Sequence, residues 1–130
     1  MRKSILLGPV VVMLAACGET SGSTSSTGGT GGGGGGASCP NDLPASCPVP
    51  APKWGADVAP VIEARCAVCH AMGGVAADKP LTTYAEVFSR RGAILNQVHA
   101  CKMPQAGSTQ LTAAERAALQ GWLVCGAPDD

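Results

Sequence analysis

Apolar and polar positions divide the chain into contrasting regimes. Residues 4–17, "SILLGPVVVMLAAC", are almost wholly apolar. Residues 18–38 show no apolar periodicity, and from about residue 57 apolar side chains recur at helical spacing. Val58, Val61, Ile62 and Cys66 share one face of a first helix by their i, i+3, i+4 spacing. Asp57 is placed to cap it, with Pro60 in the first turn, where a missing N–H is harmless. Thr83-x-x-Glu86 predicts a capping box for a second helix with Tyr84, Val87 and Phe88 on its apolar side. Gly92 predicts a break or bend there, after which Ile94, Leu95 and Val98 resume the pattern to about His99. Thr112-x-x-Glu115 is a second capping box, opening a last helix with Leu119, Trp122 and Leu123. That helix should stop at Gly126, with Pro128 just beyond. No convincing strand appears, so the expected fold class is all-α, with three to four short helices over 57–130.

Those apolar faces are thin, and composition makes the shortage sharper. The 130 residues contain four aromatics, Trp54, Tyr84, Phe88 and Trp122. So small a domain often needs crosslinks, metals or cofactors to be stable. Nine basic residues balance nine acidic ones without a basic run, which argues against a nucleic-acid partner. Seven cysteines point away from a reducing cytosol, and the odd number means that at least one does not pair within the chain.

The N-terminal apolar stretch follows Arg2 and Lys3 and is short for a membrane span, so it reads as an export signal, residues 1–16. Its end, Leu14-Ala15-Ala16-Cys17, resembles the bacterial lipobox. That resemblance implies lipid on Cys17, an exported, membrane-anchored protein in the periplasm, and outer-membrane sorting favoured by Gly18. Acyl chains in the plural anchor stably where one does not. Residues 17–38, the lipidated cysteine and its Gly/Ser/Thr run, read as a disordered tether that spans roughly 25 Å as a random coil. Six prolines between Pro40 and Pro60 make the next segment, 39–56, extended and irregular.

The strongest chemical motif is Cys66-Ala67-Val68-Cys69-His70. Two thiols three residues apart on a helical turn can each reach a vinyl group of one porphyrin, and the adjacent histidine can ligate its iron. A zinc site from Cys66, Cys69, Cys101 and Cys125 competes, although the second pair lies 24 residues apart. A thioredoxin-like redox pair would need a βαβ setting, which the pattern lacks. Gly73-Gly74 follows the motif, Met103-Pro104 lies 33 residues after His70, and the final helix ends "LQGWLVCGAP".

With these features the stretch from about Trp54 to Pro128 resembles the small single-haem class I cytochromes c. The resemblance implies an all-α, cytochrome c-like domain around one covalently attached haem c. Cys66 and Cys69 would carry the ring, with His70 and Met103 as axial ligands of the iron. The interval from His70 to Met103 is short for that family, and His99 is the competing distal candidate. The implied function is single-electron transfer between redox partner proteins, with no catalytic set and no small-molecule substrate. Two other readings stay open: an open-site haem sensor or peroxidase-like module, and a haem-free, disulfide-stapled surface lipoprotein. Four cysteines remain, which allows three connectivities. Of these, Cys39–Cys47, closing the proline-rich loop, and Cys101–Cys125, tying the Met103 loop to the last helix, are expected.

Overall fold

The computed structural model describes residues 39–130; the expected signal, Cys17 and the tether lie outside the described residues. Among the described residues the chain is helical, with no strand. A helical run over 54–70 (α1) is followed by Tyr84–Ser89 (α2), Arg91–His99 (α3) and Ala113–Val124 (α4). No helix among them is long and apolar enough to cross a membrane.

Helix α1 starts at Trp54, four residues before Val58, so Lys53 and not Asp57 occupies the cap position and Pro60 lies beyond the first turn. The Asp57 carboxylate accepts the N–H of Lys53 at 2.8 Å. Two turns are wide: Ala59 N–H donates to the Trp54 carbonyl and Ala67 N–H to that of Ile62, each five residues back. Pro60 follows the first wide turn. A proline inside a helix has no N–H to give and crowds the preceding turn, and a widened turn is one way a helix absorbs it. Val58, Val61 and Ile62 are buried on one face, as their spacing predicts.

Both capping boxes form, at Thr83/Glu86 and Thr112/Glu115. The break expected at Gly92 falls instead at Arg90, between α2 and α3 (φ −108°, ψ 7°). With the turn there, Val87, Ile94 and Val98 all reach the core. Arg91 donates to the Phe88 carbonyl and lies 4.1 Å over its ring, fastening the corner. Gly92 stays helical. Helix α4 ends in a Schellman arrangement: Gly126 N–H donates to Leu123 and Ala127 N–H to Trp122. Gly126 adopts φ +88°, the left-handed conformation that glycine reaches without penalty.

All four aromatics meet in one cluster. Trp54 lies 5.4 Å from Tyr84 and 5.3 Å from Trp122, and Tyr84 lies 5.5 Å from Phe88. The Tyr84 hydroxyl donates to the Ala127 carbonyl and the Trp122 indole N–H to that of Pro128, both in the C-terminal tail. This cluster and the aliphatic side chains around Leu119 make the core.

The disulfide expectation is corrected. The structure pairs Cys39 with Cys101 and Cys47 with Cys125, not Cys39 with Cys47 or Cys101 with Cys125. Residues 39–53 form a strap with no helix or strand, bent at 45–46 and 49–50, and its two cysteines bond to different helix ends. Each meets a cysteine at a helix end: Cys101 follows α3 and Cys125 caps α4. Pro48 and Pro52 face Gly121, where an added Cβ would meet their rings at 3.0–3.1 Å.

Candidate functional site

The last turn of α1 carries Ala67–His70, and a loop over 71–83 follows. His70 closes that loop twice. Its carbonyl accepts Leu81 N–H at 3.0 Å, and its ring Nδ1 lies 2.8 Å from the Lys79 carbonyl. A carbonyl only accepts, so Nδ1 carries a proton, and in the neutral imidazole that leaves the lone pair on Nε2. This is the arrangement by which a ligating imidazole is oriented for a metal. Inside the loop, Ala76 N–H donates to the Cys69 carbonyl at 2.9 Å. Gly74 packs so closely there that a Cβ would collide with the Cys69 carbonyl.

Cys66, Cys69, His70 and Met103 all line one cavity of about 480 Å³. That size falls within the range of small-molecule and cofactor sites. Its apolar lining comes from Leu81, Ile94, Val98, Pro104 and Leu111, and none of the four aromatics contributes. Arg65, Lys79 and Arg90 also line it, and no carboxylate does. Arg65 is turned to Glu115 on α4, with Nη2 to Oε1 at 2.9 Å and Nε to both oxygens at 3.1 and 3.2 Å. That pairing and the Thr112 backbone N–H hold the Glu115 carboxyl below its ordinary value.

Burial, with Cys69 adding, pushes the Cys66 thiol up to about 11. Without a bound group it is therefore a thiol at neutral pH. Cys101 and Cys125 are committed to disulfides, so the four-cysteine zinc arrangement cannot assemble. Among the described residues no group of three or more His, Cys, Asp or Glu could hold a metal ion. His99, the competing distal candidate, does not line the cavity, and its Nδ1 is buried without a hydrogen-bond partner. Sequence reasoning missed Lys79, Arg90 and Leu111 as wall residues. A carbonyl partner for His70 has no side-chain signature, and the others sit on separate elements that only packing brings together.

Comparison of the chain with protein-family models, with curated proteins and with solved structures found no match.

Proposed function

We propose that the chain is a monohaem c-type cytochrome that passes single electrons between redox proteins. One observation carries the reading: Cys66, Cys69, His70 and Met103, from two distant parts of the chain, share the lining of a single, largely apolar cavity. The residues fit the group. Cys66 and Cys69 supply thiols for two thioether links, and His70 offers a tautomer with Nε2 available. Met103 supplies a thioether sulfur from the wall of the same cavity. An apolar lining with cations and no carboxylate suits a flat apolar ring that bears acidic groups. When bound, the haem would supply iron redox cycling, and His/Met ligation would raise its potential and leave no open coordination position. The protein's part is to ligate, to exclude water and to leave an edge for a partner.

The class I cytochrome c-like fold, the lipid anchor at Cys17 and the periplasmic location belong to the same proposal. A flexible tether would return the domain repeatedly to partners at one membrane. Haem staining of the exported chain on a denaturing gel tests the reading directly, because only thioether-linked haem survives denaturation. A stained band is expected; an unstained one from cells competent to attach haem rejects the proposal in favour of a stapled lipoprotein.

A further inference from the structure

Arg116 is a charged side chain in an unusual place. It projects from α4 and is only 7% exposed. A buried guanidinium is costly unless its donors are used, and here each of its nitrogens has a partner. Nε donates to both oxygens of Asp42 on the strap, at 3.0 and 2.8 Å. Nη1 donates to the Val98 carbonyl. Nη2 donates to the His99 carbonyl at 3.1 Å and to that of Pro40 at 3.4 Å. Gln120, wholly buried beside it, joins the set when its amide oxygen faces the guanidinium, accepting from Nη2 at 3.0 Å.

Val98 and His99 are the last residues of α3, whose terminal carbonyls need partners from outside the helix. Two residues on, Cys101 adopts φ +53°. A left-handed backbone at a non-glycine residue is strained and persists only where its surroundings impose it. Its disulfide to Cys39 is one constraint, and the guanidinium on the preceding carbonyls is the other. Lys102 and Met103 then both donate their N–H to the Gln97 carbonyl, at 2.9 and 3.2 Å. The segment that brings Met103 to the cavity is thus set by the end of α3.

We propose that Arg116, clasping α3 to the strap through Asp42, is the positioning residue that fixes Met103 in the cavity wall. Its role toward the iron rests on the haem reading; its hold on the segment does not. Without the clasp the segment samples other conformations, and only the fraction with Met103 in place offers its sulfur.

The test uses the full chain, exported with haem attachment, and the variants Arg116→Met, Arg116→Lys and Asp42→Asn. In Arg116→Met, amide exchange at Lys102 and Met103 should quicken about tenfold more than at Leu119 and Trp122. In the oxidised protein, imidazole should displace the distal ligand at roughly tenfold lower concentration. Arg116→Lys should recover part of both effects, and Asp42→Asn should move both in the same direction by less. Exchange that rises equally in α4 and at 102–103 would mean general destabilisation and overturn the proposal. So would unchanged imidazole displacement in a folded Arg116→Met. If Arg116→Met does not fold, Asp42→Asn decides, and unaltered exchange at 102–103 overturns the proposal. A native chain without haem rejects the ligand role and the proposed function together, whereas the exchange measurement still decides the clasp.

Discussion

His70 is tied at its carbonyl to Leu81 and at its ring to Lys79. That double closure fixes ring orientation before any ligand arrives. It also makes the loop intolerant at Gly74, where a methyl group would strike the Cys69 carbonyl. Gly74→Ala should lower stability by about 1–3 kcal/mol, the usual range for overpacking, read as a lower denaturation midpoint. On the distal side Met103 and His99 make opposite forecasts. With haem attached, Met103→Ala should abolish the methionine-to-iron charge-transfer absorption of the oxidised protein. Its reduced form should then bind carbon monoxide rapidly. His99→Ala should do neither, since His99 lies outside the cavity lining. The reverse pattern would assign the distal position to His99. At this scale the thiols and His70 were legible because their chemistry depends on local spacing. The Lys79 carbonyl was not, since any residue type can provide one.

The helices owe their starts to short polar signals that act within one turn. Thr83 and Thr112 accept the N–H of Glu86 and Glu115, and each glutamate returns to its cap. Thr112→Ala should cost about 1 kcal/mol in stability, measured by denaturant unfolding. The glutamates tie these caps to pH. Backbone N–H donation from Thr82 holds the Glu86 carboxyl below its ordinary 4.5, and the Arg65 guanidinium does so first for Glu115. Arg116 likewise lowers Asp42 below 3.8. A depressed carboxyl stabilises the fold above its unfolded value, and that contribution is lost as pH falls through the folded value. Stability should therefore hold from neutral pH down to about 4.5 and decline below it. Glu115→Gln should be less stable at neutral pH and lose less on acidification; an unchanged acid limb would remove Glu115 from the account. Helix existence and the two Thr-x-x-Glu caps were legible in the chain, whereas the cap expected at Asp57 was not where the helix begins. The early start of α1 and the turn at Arg90 were not, because wide turns and side-chain fit at a corner settle them.

Across the whole molecule the strap joins what the helices leave apart. Cys39–Cys101 and Cys47–Cys125 span sequence separations of 62 and 78 residues. Loops of that length are worth about 4 kcal/mol each by chain-entropy arithmetic, against roughly 2.5 for an eight-residue loop between Cys39 and Cys47. Replacing Cys47 and Cys125 together by serine should cost about 2–4 kcal/mol, read from the shift in denaturation midpoint. A change below 0.5 kcal/mol would show the strap held by its other contacts. The local pairing looked natural in one dimension, where eight residues are close. In three dimensions the strap crosses the ends of two helices, and its cysteines bond to the cysteines it meets there. The amino-acid sequence was sufficient for helices without strands among the described residues, for the two Thr-x-x-Glu capping boxes and for the closeness of Cys66, Cys69 and His70, because each follows from contacts within a turn or two. Folding alone decided the partners of four cysteines, the buried place of Arg116 and the company of Met103 with His70. Those depend on distances between residues far apart in the chain, which no local pattern encodes.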